Sequence, residues 1–163
     1  DSQRRFGNQL LLPAAPLREA QWRVDKVDFK VLNGGEAADD EYLMSLEAAE
    51  LINVKYPNKR LSLQDITAPV TALAGIGNPS RFFRLLEKKQ VKLKEQISFV
   101  HHHAFSAADI PSGRVLMTEK DAVKCTHIAH DDCWYLPVNG RLGAQFDSQL
   151  IQKLQQVASN KYN

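Results

Sequence analysis

The segment that most restricts the fold runs from Val70 to Lys89. A short, mostly apolar run (Val70–Ala74), a Gly75-Ile76-Gly77 turn and an amphipathic helix pattern follow one another there without a gap. The run is too short for a buried helix and of the right length for a buried strand. Asn78 and Pro79 supply an N-cap residue and a proline at the first helical position. In the helix expected from Pro79 to about Lys89, Phe82, Leu85 and Leu86 form the inward stripe. Arg81, Arg84 and Lys88 form a basic stripe at i, i+3, i+7. The alternation then continues. Strands are expected at Lys94–Val100, Val115–Met117 and Cys133–Val138, and short helices at Ser106–Asp109 and Glu119–Cys125, the latter capped by Thr118. An amphipathic helix at Ser148–Ala158 closes the chain. Strand and helix in alternation imply an α/β fold with a mainly parallel sheet and helices on its faces.

The earlier part reads differently. Phe6-Gly7-Asn8 is a turn into the apolar Leu10-Leu11-Leu12, Pro16 opens a short helix, and Val24–Leu32 reads as a strand broken by Asn33-Gly34-Gly35. From 36 to 66, Tyr42, Met44 and Leu46 alternate with polar positions, as do Ile52, Val54 and Tyr56. A turn at Pro57-Asn58 leads to Leu61 and Leu63, and this period-two pattern indicates a small β-ribbon. Three parts are therefore expected: 1–35 as the end of a preceding domain, 36–66 as a ribbon linker, and 67–163 as a small α/β/α domain. With 163 residues, 44% hydrophobic and 25% charged, the chain has enough material for one core and is not of disordered composition. It opens Asp1-Ser2-Gln3 without a methionine, and a continuation upstream is expected. The longest apolar stretch, Leu10–Leu17, holds two prolines and falls far short of the roughly 18 residues of a membrane span. No secretory leader pattern opens the chain.

Charge is uneven. Residues 1–50 carry six Lys/Arg against ten Asp/Glu, whereas 51–163 carry fifteen against nine. The basic part suits a phosphate or an anionic lipid surface, or is ordinary solvated surface. Two cysteines are too few for a disulfide scaffold and fit a reducing compartment.

The motifs that could carry chemistry begin with one that is missing. A Walker A loop needs Gly-Lys-Ser/Thr, and none of the eight glycines is followed by Lys. The Gly75–Pro79 turn is the best remaining anion-facing feature, although most such turns serve topology alone. Arg81, Arg84 and Lys88, extended by Lys89, Lys92 and Lys94, form either a solvated face or a contact for a phosphorylated or anionic partner. His101-His102-His103 stands at a strand end, where one histidine can align a carboxylate or simply pack. The Cys125-x-His127-x-x-His130-x-x-Cys133 spacing does not match a known zinc finger. Glu119 and Asp121, at the start of a helix, are explained by capping. Arg18-Glu19 suits phosphate contact through the arginine, or is an exposed ion pair.

Several of these segments, in order, resemble one family. They are Arg4-Arg5-Phe6-Gly7-Asn8, Leu12-Pro13-Ala14-Ala15-Pro16-Leu17-Arg18-Glu19, Asn33-Gly34-Gly35, Ala74-Gly75-Ile76-Gly77-Asn78-Pro79-Ser80-Arg81-Phe82-Phe83, Phe99-Val100-His101-His102-His103, Leu116-Met117-Thr118-Glu119-Lys120-Asp121-Ala122-Val123-Lys124-Cys125 and Trp134-Tyr135-Leu136-Pro137-Val138. Together they resemble the C-terminal portion of tetraacyldisaccharide 4′-kinases, the lipid A 4′-kinases. The resemblance implies a P-loop-kinase-like α/β protein that uses ATP and Mg²⁺ to phosphorylate the 4′-hydroxyl of a tetraacyldisaccharide 1-phosphate. It implies peripheral attachment to the anionic inner membrane at its cytoplasmic face, and no nucleic-acid partner. On this resemblance His102 pairs with an upstream catalytic aspartate, His101 stands where the family has Asp, and His103 is the neighbouring candidate. Ala15 stands where the family usually has Gly. Arg18 contacts phosphate, and Glu19, Gly75, Gly77, Asn78 and Arg81 line the substrate or nucleotide cleft. The chain alone, lacking the Walker A loop, is expected to be inactive. The alternative is a non-enzymatic α/β module that binds anionic lipid or a phosphorylated partner through Arg81, Arg84 and Lys88.

Overall fold

In the computed structural model of the chain, the structure describes residues 5–14, 17–100 and 103–160. Two compact units emerge, Asp1–Glu47 with Asn139–Asn163, and Ala48–Val138.

The second unit is the α/β expectation made concrete. Its strands are β3 (Leu51–Asn53), β4 (Arg60–Leu61), β5 (Val70–Ala74), β6 (Leu93–Ser98), β7 (Val115–Thr118) and β8 (Cys133–Leu136). Its helices are α1 (Pro79–Lys88) and α2 (Glu119–Cys125). The sheet order is β4-β3-β8-β7-β5-β6. β8, β7, β5 and β6 run parallel, while β3 and β4 add an antiparallel edge beyond β8.

Side chains alternate across a strand, and the two cores divide accordingly. Ala72, Ala74, Leu116, Trp134 and Leu136 pack with Phe82, Phe83 and Leu86 of α1. Leu73, Val115, Met117 and Cys133 pack with Ala122 and Cys125 of α2. The two helices therefore cover opposite faces. β5 is buried along its whole length, as expected of a mostly apolar central strand covered on both faces, with Thr71 its one polar residue. α1 ends where Gln90 takes a left-handed φ of 64°, with the Val91 N–H reaching back to the Leu86 carbonyl at 3.1 Å.

The first unit has a sheet of β1 (Lys30–Asn33), β2 (Glu41–Ala48) and β9 (Val138–Arg141), with β1 and β2 parallel, and the helix α3 (Ala144–Asn160). Phe29, Tyr42 and Phe146 meet edge-to-face with centroids 5.1 to 5.9 Å apart, and the Tyr42 hydroxyl bonds Gln149. Arg141 pairs with Glu47 at 2.9 Å.

Several elements depart from the sequence expectation. The strand foreseen at Val24–Leu32 is a 3₁₀ turn over Gln21–Lys26 followed by the short β1. The Glu19–Arg23 ion pair at 3.2 Å and Lys26 against the Trp22 ring at 4.7 Å accompany that turn. Within 36–66, β3 and β4 form an antiparallel pair about the Pro57-Asn58 turn, as the alternation suggested, but this pair joins the larger sheet through β8, whereas β2 pairs in parallel with β1. The closing helix is longer than expected at 17 residues. Among the described residues no helix is long and apolar enough to cross a membrane.

Candidate functional site

In an open parallel sheet, ligands bind outside the carboxyl ends of the strands, at the point where neighbouring connections turn in opposite directions. β5 leads through α1 to β6 on one side, and β7 leads through α2 to β8 on the other. The crevice between the carboxyl ends of β5 and β7 is that point. The turn Gly75–Asn78 follows β5 there, and Thr118 ends β7.

A buried carboxylate ties the two strand ends together. Asp121 is wholly buried, and its Oδ2 accepts the Gly75 N–H at 2.9 Å and the Thr118 hydroxyl at 2.6 Å. Thr118 in turn caps α2, its Oγ1 accepting the Asp121 N–H at 3.2 Å. The first turn of α2 is thus capped by Thr118 as the sequence suggested, while the Asp121 carboxylate also reaches a residue 46 positions away. Glycine at 75 is required by space: a Cβ would lie 3.0 Å from Phe105 Cζ and 3.1 Å from Asp121 Oδ1. Lys124 on α2 lies with its Nζ 3.9 Å from Asp121 Oδ1 and 5.5 Å from the Phe105 ring centroid.

Of the residues singled out by sequence, Gly75, Gly77 and Asn78 lie on this turn and Arg81 in the first turn of α1. Gly75 is buried, Asn78 and Arg81 are half-buried and Gly77 is exposed. Asn78 takes the N-cap position of α1 without a side-chain capping bond, and Pro79 starts the helix as expected. Arg84 donates to the Ser80 carbonyl at 3.2 Å, and Lys88, Lys89, Lys92 and Lys94 are exposed. Arg18 and Glu19 belong to the first unit and are exposed, and Glu19 pairs with Arg23. They follow a short loop in which the Leu12 N–H meets the Leu17 carbonyl at 2.8 Å.

His101 and His102 lie outside the described residues, as do Ala15 and Pro16. Their neighbours are well defined. The Phe99 N–H donates to the Ala74 carbonyl at 2.9 Å, and the His103 N–H to the Val100 carbonyl at 3.0 Å. The His103 ring stacks on Phe99 at 4.4 Å, stands edge-on to Phe105 at 5.0 Å, and places Nε2 3.3 Å from Asp109 Oδ2. The Ser106 N–H, first, and then its hydroxyl and His103 hold the Asp109 carboxyl below the usual carboxylate range. His103 is therefore committed to a local hydrogen bond and an aromatic stack.

The second histidine and cysteine group has structural employment. His130 Nδ1 accepts the Asp132 N–H at 3.2 Å, so Nε2 carries the proton donated to the Pro111 carbonyl at 3.0 Å. Burial, with Asp121 adding to it, pushes the Cys125 thiol up to about 12, and burial pushes Cys133 up to about 11. Both thiols stay protonated and pack as small apolar groups.

Sequence reasoning passed over Asp109, Phe105 and Lys124 and gave Asp121 only a capping role. The Thr118-x-x-Asp121 spacing signalled the cap, but nothing local signals the bond to Gly75.

A family model described as LpxK, tetraacyldisaccharide-1-P 4′-kinase, matches residues 1–155. The chain belongs to the tetraacyldisaccharide 4′-kinase family. It is 55% identical over 157 residues to the tetraacyldisaccharide 4′-kinase of Pseudoalteromonas atlantica, covering 96% of this chain and 52% of that protein. It is 48% identical over 161 residues to that of Shewanella denitrificans, covering 94% and 48%. The chain spans about half the length of the curated relatives it matches, and corresponds to their C-terminal portion. Among solved structures, LpxK from Aquifex aeolicus, in complex with ATP, superposes with a TM-score of 0.67 at 24% identity. The match covers 90% of this chain and 48% of that one, and it shows a shared fold.

Proposed function

We propose that the chain is the C-terminal part of an ATP-dependent kinase that phosphorylates the 4′-hydroxyl of a tetraacyldisaccharide 1-phosphate. The observation that carries this reading is the family match over residues 1–155, at up to 55% identity to a protein of that name. The fold likeness to an ATP-bound LpxK supports ATP as the donor. In the reaction, the bond from the γ-phosphorus to its bridging oxygen breaks and a bond to the sugar 4′-oxygen forms. The hydroxyl proton passes to a carboxylate of the part of the enzyme beyond this chain. Such transfer depends on positioning and charge neutralisation more than on covalent chemistry.

Within this reading the chain supplies positioning groups. His102 aligns the catalytic carboxylate and Arg18 neutralises phosphate charge. Gly75, Gly77, Asn78 and Arg81 are the cleft-lining residues of the second unit, and Glu19, next to Arg18, is a candidate substrate contact of the first. Among the described residues there is no group of three or more His, Cys, Asp or Glu that could hold a metal ion. Mg²⁺, when bound, would neutralise the phosphates of ATP. In the full-length enzyme residues 1–35 would complete the preceding kinase domain, with 36–66 as the connection and 67–163 as the C-terminal domain. The exposed Lys88, Lys89, Lys92 and Lys94 suit peripheral attachment to an anionic bilayer at the cytoplasmic face of the inner membrane.

Steady-state kinetics of the full-length enzyme test the assignment. His102→Ala is expected to lower kcat about a hundredfold with little change in KM, because a group that aligns the proton acceptor acts in the transition state. An unchanged kcat removes that role. Arg18→Ala should lower kcat/KM by at least about tenfold, and an unchanged value removes the phosphate contact.

A further inference from the structure

The first unit is short of a core. Among the described residues Leu32 is its one buried apolar side chain, and every other buried apolar side chain lies in the second unit. Of the fourteen large apolar side chains that stand exposed among the described residues, ten belong to this smaller unit. Scattered exposed apolar residues are ordinary, but their accumulation in one unit marks a surface that another body covers.

Helix α3 carries the most regular part of that surface. One edge of it is seated on its own unit. Phe146 meets Phe29 and Tyr42, Gln149 bonds the Tyr42 hydroxyl, and Lys153 pairs with Asp28. Ile151, Leu154 and Ala158 form a second stripe at i, i+3, i+7, with Leu150 and Val157 between the two. Ile151, Leu154 and Val157 are 54 to 60% exposed, and no residue of the 17-residue helix is buried. A helix in a protein draws most of its stability from a packed apolar face, and the face that would supply it here is bare.

The chemistry of the helix selects what covers it. Asp147 and Lys153 are its only charged residues, and its other polar positions are Gln, Ser and Asn. A helix lying on an anionic bilayer carries Lys and Arg along its polar face, whereas the one lysine of α3 is engaged by Asp28. An apolar stripe with few charges around it has the character of the centre of a protein interface. The curated relatives are about twice as long as this chain, which matches their C-terminal portion. Residues 1–47 share a unit with α3, so a preceding half would join the protein at the unit that lacks a core.

We propose that the apolar stripe of α3, through Ile151, Leu154 and Val157, docks on the half of the full-length protein that precedes this chain. The C-terminal helix then completes the core of the preceding domain, and residues 144–160 leave the 67–163 domain to join it. The inference rests on the reading above, in which the chain is the C-terminal part of a longer kinase.

The test uses the full-length enzyme. The photoreactive residue p-benzoylphenylalanine is placed at position 154 and, on the opposite side of the helix, at position 152, in the presence of vesicles of phosphatidylethanolamine and phosphatidylglycerol. Cross-links are mapped by mass spectrometry. Position 154 should link to peptides that precede residue 1, and position 152 should not. Links from 154 only to a second copy, only to lipid, or to nothing overturn the proposal. Because the bulky probe can itself disturb docking, Leu154→Cys and Gln152→Cys are compared in their rates of labelling by N-ethylmaleimide. Leu154→Cys should react about a hundredfold more slowly, since labelling awaits local opening, and equal rates overturn the proposal whatever the cross-links. Where Leu154→Cys does not fold, Ile151→Cys takes its place with the same expectation. Transfer of the γ-phosphate of ATP by the wild type is scored separately. A phosphorylating enzyme with equal labelling rates overturns the docking and leaves the kinase reading standing. Protection of position 154 with links to the preceding half, in a protein that transfers no phosphate, overturns the kinase reading and upholds the docking.

Discussion

Asp121 illustrates how one side chain can join two parts of a sheet that sequence keeps far apart. Its position after Thr118 reads as a helix cap, and the cap is there, but the bond to Gly75 depends on β7 lying beside β5. Local patterning cannot reveal a pairing between strands separated by a helix and another strand. The close approach makes Gly75 the most space-limited residue of the site. Gly75→Ala should destabilise the protein by about 1–3 kcal/mol, because Phe105 and the Asp121 carboxylate must both move. A thermal midpoint equal to wild type would show that the ring shifts freely. The buried thiols give a second residue-scale expectation. With Cys125 and Cys133 held protonated to about 12 and about 11, neither should react with iodoacetamide at pH 8 in the folded protein, and both should react after denaturation. Rapid native labelling would contradict their burial.

At the scale of elements, what the sequence reveals follows the strength of the periodicity. β5, α1, β7, α2 and β8 were legible because apolar runs of strand length alternate with capped, amphipathic helices. Each of these elements buries one well-defined set of residues. The stretch before β3 was harder, since Val24–Leu32 has strand-like composition while none of Gln21–Lys26 is buried, and no core holds it extended. The 36–66 alternation was real, yet it could not say which partner each strand would take. The end of α1 offers a direct check. Gln90 adopts a φ that costs a non-glycine residue energy, so Gln90→Gly should raise stability by up to about 1 kcal/mol. A lowered unfolding temperature would mean that the Gln90 side chain contributes more than its backbone costs.

For the whole molecule, the chain belongs to the tetraacyldisaccharide 4′-kinase family and spans about half the length of the relatives it matches, which is the basis of the proposed half-site. The chain carries a topological switch point between β5 and β7, a buried carboxylate that ties the two strand ends, and a described histidine, His103, held by Phe99, Phe105 and Asp109. It carries no Gly-Lys-Ser/Thr loop to cradle a nucleotide. The 163 residues alone should therefore turn over no ATP, and phosphate release above background from the purified chain would contradict that division of labour. The most direct measurement is transfer of the labelled γ-phosphate of ATP to the tetraacyldisaccharide 1-phosphate by the full-length enzyme, wild type against His102→Ala. The account predicts rapid 4′-phosphorylation by the wild type and a loss of about a hundredfold in kcat, at nearly constant KM, in the variant. Absence of transfer by the wild type, or an undiminished rate in His102→Ala, would contradict it.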